Sequence, residues 1–216
     1  MLSVKTFIFN QIQVNTYIVY NEKKECVIID AGNLEPFEDE QILSYIDKTG
    51  LKLLMLLNTH SHIDHVMGNK VLAEKYHVEL AAHPIEKPFY DKVWAYAAAF
   101  GINFTQDRCL TPTKDLNQDD IVKVGDDELK VLFTPGHSPG HICFYDEKDG
   151  IVFTGDTLFY RGIGRCDLPG GNYSTIEKSL REVLYKLPDD TICYCGHGPQ
   201  TRLGDEKRNN PYIVSY

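Results

Sequence analysis

His60-Ser61-His62-Ile63-Asp64-His65 places three imidazoles and a carboxylate within six residues, directly after the apolar run Leu53-Leu54-Met55-Leu56-Leu57. Neutral imidazole and carboxylate are the preferred ligands of zinc-type divalent cations outside thiolate sites, so this density of N and O donors predicts a metal site. Three more apolar runs end in potential ligands: Val131-Leu132-Phe133 leads to His137, Ile151-Val152-Phe153 to Asp156, and Ile192-Cys193-Tyr194 to His197. Short β-branched and aromatic runs bounded by Gly and Pro predict buried strands, and donors at the ends of neighbouring strands can meet on one sheet edge. The set His60, His62, Asp64, His65, His137, Asp156 and His197 is larger than a closed, four-coordinate structural zinc requires. It suits two cations roughly 3.5–4 Å apart with positions open to water, which is a catalytic arrangement.

The elements that must position these donors follow from periodicity. Phe7–Phe9 and Thr16–Tyr20 predict strands, residues 21–25 a polar hairpin turn, and Cys26–Asp30 the returning strand, so the chain opens as an antiparallel meander. Phe37, Ile42, Leu43 and Ile46 have helical spacing over 37–49, ending near Gly50, and a second helix is predicted over 66–76 with Asp64 and His65 at its start. Between Pro84 and Phe104 lie Phe89, Tyr90, Trp94, Tyr96, Phe100 and Phe104 on predicted helices. These aromatics either wall a substrate pocket or pack as core or oligomer contact. After Leu116 the pattern restarts, with strands over 121–124, 128–133 and beyond the turn at 146–150, then a helix over 173–187. The two halves share one rhythm and both supply ligands. The expected fold is a mixed α/β, four-layer αββα sandwich with pseudo-duplicated halves, built as one domain over 1–216.

Composition narrows the partners. A formal net charge of -9 disfavours a polyanionic partner, since nucleic-acid affinity comes largely from Lys and Arg neutralising phosphates. No apolar stretch approaches the roughly 20 residues of a membrane span, and Met1–Phe7 has no basic region followed by an apolar signal core. A cytoplasmic protein acting on a small molecule, with neither nucleic acid nor membrane as partner, is expected. Cys26, Cys109, Cys143, Cys166, Cys193 and Cys195 form no secreted-type framework and read as reduced, mostly buried thiols, with Cys166 and Cys195 closest to the motifs.

Taken together, His60–His65, His137, Asp156 and His197 resemble the HxHxDH signature and the later His, Asp and His positions of the metallo-β-lactamase superfamily, in the family's order and over nearly the whole chain. Within it, Thr134–His141, Thr154–Phe159 and Gly164–Gly171 resemble glyoxalase II (hydroxyacylglutathione hydrolase) and its short single-domain relatives, and His65 argues against a zinc β-lactamase. The larger glyoxalase II enzymes carry a C-terminal helical domain that supplies basic residues to glutathione, whereas this chain ends soon after Asn210-Pro211. The resemblance implies that His60, His62 and His137 hold one metal, that Asp64, His65 and His197 hold another, and that Asp156 bridges them. Asp64 and Asp156 are thereby implied at the reacting centre, with zinc as the first candidate metal and iron or manganese as alternatives.

Two cations sharing a water lower its pKa from about 15.7 toward about 7, giving a hydroxide nucleophile for a thioester carbonyl without a separate general base. A thiolate leaves readily, so no strong general acid is needed. The implied activity is hydrolysis of small acyl thioesters such as S-(2-hydroxyacyl)glutathione; the rival is a mononuclear iron persulfide dioxygenase of the same fold, using two His and one Asp. His141, four residues after His137, either hydrogen-bonds to a ligand from behind and orients it or stabilises a turn. Arg165, in a Gly-rich loop after Asp156, either receives a substrate carboxylate or lies on the surface.

Overall fold

A computed structural model describes residues 1–99 and 101–213, so Phe100 of the aromatic segment lies outside the described residues. The first sheet contains β1 (Ser3–Phe9), β2 (Val14–Tyr20), β3 (Glu25–Ile29), β4 (Lys52–Leu57), β5 (Leu80–Ala82) and β6 (Lys114–Asp115), in that spatial order. β1, β2 and β3 form the predicted antiparallel meander, with Phe9 opposite Val14 at the first turn, and β3 to β6 run parallel. The second sheet contains β7 (Ile121–Val124), β8 (Asp127–Phe133), β9 (Ile142–Asp146) and β10 (Ile151–Gly155), all antiparallel. After a small ribbon of β11 (Leu158–Phe159) and β12 (Gly162–Ile163), β13 (Ile192–Cys195) joins β10 in parallel and β14 (Thr201–Arg202) closes that edge.

Residue periodicity explains the layers. On β2 and β3, Tyr17, Val19, Val27 and Ile29 face Val131, Phe144 and Phe153 of the second sheet, forming the central core. The alternate residues Ile18, Cys26 and Ile28 face the other way, onto Ile42 and Ile46 of α1 (Pro36–Thr49). In the second sheet, Leu132, Cys143 and Val152 back onto Ile176 and Leu180 of α6 (Tyr173–Glu182). Because a strand's side chains alternate between its faces, strands covered on both faces read as near-continuous apolar runs. Three stacked cores give the order helix, sheet, sheet, helix. The duplication is visible in topology: β3 returns through α1 to the parallel β4, and β10 returns through α6 to the parallel β13.

Three local expectations change. Phe37 does not belong to the buried stripe of α1 and is 67% exposed, because Pro36 and the capping box between Glu35 and Glu38 start the helix there at the surface. The predicted helix over 66–76 is broken into α2 (Ile63–Val66) and α3 (Asn69–Tyr76). Asp64 and His65 therefore sit inside a single turn of their own. At the break, the Gly68 N–H donates to Ala31 O at 2.8 Å, and a Cβ at Gly68 would lie 1.8 Å from Asn33 Oδ1. That close approach to a neighbouring loop redirects the chain. The last predicted helix stops at Glu182, and Leu184–Lys186 continues as a tighter 3₁₀ turn.

The aromatic segment forms α4 (Lys87–Tyr90) and α5 (Val93–Ala99) and divides between the two expected roles. Tyr90 and Phe104 are buried in the first core, while Phe89 and Tyr96 line a cavity. The last helix is α7 (Leu203–Asn209). Among the described residues no helix is long and apolar enough to cross a membrane.

Candidate metal centre

Each donor follows a strand or opens a turn on the same rim of the sandwich. His60 and His62 lie on the loop after β4, Asp64 and His65 on α2, His137 on the loop after β8, Asp156 directly after β10, and His197 after β13. The structure brings all of them together. His60, His62 and His137 form one compact donor set, and Asp64, His65 and His197 form a second, the donor atoms of each within 4.8 Å of one another. Asp156 stands between the sets: its Oδ1 is 3.3 Å from His65 Nε2 and its Oδ2 is 3.4 Å from His137 Nε2. His197 Nε2 lies 3.0 Å from Asp64 Oδ2.

The imidazoles are aimed by their other nitrogen. Thr59 Oγ1 donates to Asp30 Oδ2 at 2.7 Å, which leaves that hydroxyl oxygen free to accept from His60 Nδ1 at 2.9 Å. Asp30 Oδ2 also takes His65 Nδ1 at 2.9 Å, and Asp30 Oδ1 accepts the Thr59 backbone N–H at 2.8 Å. His137 Nδ1 donates to Arg165 O at 2.8 Å, and His197 Nδ1 to Gln13 O at 3.2 Å. With the Nδ1 protons tied, every one of these rings presents a bare Nε2 to the centre, the tautomer a metal ligand requires. Asp30, His60 and His65 also form a tight group. Its carboxylate faces the far nitrogen of both rings, so Asp30 orients ligands rather than adding one.

Electrostatics and solvation point the same way. His60 Nε2, His65 Nε2, His137 Nε2 and Asp156 Oδ1 are buried with no hydrogen-bond partner among the described residues. Such convergent orphaned acceptors would be costly unless cations occupied the space between them. Burial and the neighbouring imidazoles hold His60 well below the ordinary histidine range, and burial with His137 pushes His62 down to about 4. Both are thus neutral ligands near pH 7. Burial would raise Asp156, but the surrounding His65, His137 and His197 hold it well below the usual carboxylate range. Burial would lower His65, yet Asp156, Asp64 and Asp30 raise it well above its ordinary value, so a proton here does what a cation would do. The donors are nitrogen and oxygen with no thiolate, which fits zinc, iron or manganese.

The backbone leaves just enough room. A Cβ at Gly196 would stand 2.2 Å from Asp156 Oδ1 and 2.9 Å from His65 Cε1, so only glycine lets the chain leaving β13 pass the centre.

His141 does not serve a ligating imidazole. Its Nε2 accepts the Asp156 backbone N–H at 3.1 Å, and its Nδ1 lies 3.0 Å from Thr134 Oγ1 and Thr157 Oγ1, so it fixes the turn that carries Asp156. Arg165 lies at the cavity rim with its side chain 59% exposed, and its guanidinium makes a two-pronged bond to Asp167 at 2.8 and 2.7 Å. Two positioning residues escape the sequence reading. Asp30 closes an apolar strand much as the ligands do, which is a usable signal. Glu86 gives no local signal: buried among aromatics, it accepts the Ser61 N–H at 2.9 Å, the Ser61 hydroxyl, and the Gly140 N–H at 2.7 Å. It thereby ties the first histidine loop to the loop after His137. The six cysteines are free, and Cys143, Cys193 and Cys195 are buried with thiols pushed up by burial, Cys195 to about 12.

Comparison with known proteins agrees with this geometry. Residues 10–197 match the metallo-beta-lactamase superfamily. A hydroxyacylglutathione hydrolase, GloC, of Haemophilus influenzae is 36% identical over 205 residues, covering 94% of each chain. Among solved structures, TTHA1623 in a di-iron-bound form is 37% identical with a TM-score of 0.87 over 97% of this chain and all of that one. The BLEG-1 B3 metallo-beta-lactamase is 30% identical with a TM-score of 0.90 over 99% of this chain and all of that one.

Proposed function

The chain belongs to the metallo-beta-lactamase superfamily, and from that premise we propose that it is a metal-dependent hydrolase of small acyl thioesters, with S-(2-hydroxyacyl)glutathione the first substrate to test. The observation that carries this reading is the pair of donor sets with one carboxylate between them. His60, His62 and His137 would hold one cation, Asp64, His65 and His197 a second, and Asp156 would offer one oxygen to each. Two divalent cations bound there, zinc in the first instance, supply a water of lowered pKa as nucleophile and positive charge against the oxyanion that develops in acyl transfer.

The chain's own residues prepare that site. Asp30, Thr59 and the carbonyls of Arg165 and Gln13 keep His60, His65, His137 and His197 in the ligating tautomer, and His141 fixes Asp156 through its backbone. Glu86 already accepts three hydrogen bonds, so it braces the loops and is not a spare acid. A thiolate leaving group needs none. Arg165 is proposed to take a substrate carboxylate in exchange for Asp167; an exposed ion pair is worth only about 0.2–1 kcal/mol, so the exchange costs little.

The name of the Haemophilus influenzae relative, which spans the same length, supports the thioester assignment. Metal analysis joined to a hydrolysis screen tests it. Close to two metals per chain and turnover of S-D-lactoylglutathione are expected. One iron with thiol-dependent oxygen consumption would establish the persulfide dioxygenase instead, and turnover of nitrocefin but of no thioester would establish a β-lactamase.

A further inference from the structure

His62, Asp64, His137, Asp156 and His197 form the floor of a cavity of about 580 Å³, a size suited to a small-molecule ligand. Its wall is of a different character. Ile12, Phe89, Tyr96, Phe159, Ile163 and Leu168 converge on it from the β1–β2 turn, α4, α5, β11, β12 and the loop after β12. Ile12 and Tyr96 are 41% and 42% exposed, and the other four are half-buried. Phe159 and Ile163 pack in part on the third core, and the apolar surface that the six leave exposed is concentrated directly above the metal centre, which marks a binding surface.

The charged groups of the wall are engaged. Glu86 is buried with three hydrogen-bond donors on its carboxylate, and the Arg165 guanidinium lies at the rim with Asp167. Against the six apolar side chains the lining sets the hydroxyl of Ser138, which is buried with no partner among the described residues. Away from Ser138, a 2-hydroxyacyl group on this wall would bury its hydroxyl without a partner, which weakens binding. An apolar acyl group gains instead, by about fourfold in affinity for each methylene buried. The charged ends of glutathione or a similar thiol carrier fit the solvent-facing mouth beside Arg165 and not the wall.

Resting on the thioesterase reading, we infer that this wall is an acyl-binding surface and that the chain's preferred substrates are thioesters of apolar acyl groups of several carbons. The test keeps glutathione as carrier and compares lactoyl, acetyl, butyryl and hexanoyl thioesters on the metal-loaded enzyme. kcat/KM is expected to rise by about fourfold per methylene until the wall is covered, and the hexanoyl thioester should exceed the lactoyl by tenfold or more. A flat series, or lactoyl as the best substrate, overturns the inference while leaving the thioesterase reading intact. Phe89→Ala and Ile163→Ala should each flatten the chain-length dependence at wild-type metal content; an unchanged slope in both overturns the placement. If no thioester is turned over, the thioesterase reading fails, and calorimetric titration with acetate, butyrate and hexanoate decides the wall by itself. Affinity rising along that series supports an apolar binding surface, and equal affinities overturn it.

Discussion

Replacing Asp30 by Asn changes no volume and removes one charge that touches no proposed metal position. Asp30 Oδ2 accepts from His65 Nδ1 at 2.9 Å and from Thr59 Oγ1 at 2.7 Å, while Oδ1 accepts the Thr59 N–H at 2.8 Å. An Asn that keeps its oxygen on the Thr59 amide must turn its NH2 toward His65 Nδ1. Two donors then face each other, and the imidazole escapes by moving its proton to Nε2, the nitrogen needed for the second cation. Loss of an orienting partner of this kind typically costs 10–100-fold in metal affinity, about 1.4–2.7 kcal/mol. His60 reaches Asp30 only through Thr59, so the first cation should be affected less. A buried charge-assisted network is also lost, worth about 1.5–3 kcal/mol, which for a chain of this length lowers Tm by about 3–12 °C. Competition with a chromophoric chelator reads the two affinities separately, with circular dichroism as the check on folding. Wild-type affinity for both metals would refute the tautomer reasoning, and equal weakening of both would show that Asp30 acts on the two sets alike.

Asp156→Ala should abolish hydrolysis and reduce the content of both metals, since one carboxylate faces both donor sets; full occupancy with wild-type turnover would exclude a bridging role. Gly196→Ala places a methyl 2.2 Å from Asp156 Oδ1, and is expected to lower kcat at least tenfold while circular dichroism stays native; unaltered kinetics would mean that the rim gives way freely. Arg165→Ala should raise KM for S-D-lactoylglutathione about tenfold, from the roughly 1.5–3 kcal/mol of a charge-assisted bond less the pair it replaces, with little effect on a neutral ester. Equal losses on both substrates would assign Arg165 to loop support. Chelation should remove activity and lower Tm by about 5–11 °C, taking about 2.7 kcal/mol for a site held at a hundredfold its Kd, yet leave the fold, because the three apolar cores contain none of the donors; unfolding on chelation would mark a structural metal.

The donors were legible because metal chemistry demands particular atoms, and few residue types supply them. His60, His62, Asp64 and His65 announce themselves by density, and His137, Asp156 and His197 by following apolar runs. The paired sheets were legible for a similar reason, since strands covered on both faces must be apolar at nearly every position. Positioning residues are marked less well, since following an apolar run does not by itself tell a support such as Asp30 from a ligand. Asp30 is one carboxylate at a strand end, and Glu86 is one among aromatics whose importance depends on Ser61 and Gly140 arriving from elsewhere. The break at Gly68 was illegible for the same reason: only the tertiary approach of Asn33 forbids a side chain there. Phe37 had the right spacing for the core, but its helix begins at the surface.

The two donor sets also explain why the sandwich is built in duplicate. Each set takes two donors from the first half, His60 with His62 or Asp64 with His65, and one from the second, His137 or His197. Neither half could assemble a site alone, so the donor geometry depends on how one sheet sits on the other. That relation is fixed at the rim itself. The Asn15 N–H donates to Gly196 O at 2.7 Å, Asn15 Nδ2 donates to Cys195 O at 3.0 Å, and the Ile142 N–H donates to Thr59 O at 2.9 Å. These bonds pair backbone groups across the two sheets, and each has one end on a segment that carries a donor, Thr59 beside His60 and Cys195 and Gly196 beside His197. The apolar core between the sheets supplies adhesion without register, whereas directional bonds at the rim supply register. A mutation that loosens the rim should therefore be felt first as weakened metal binding, before any loss of the fold.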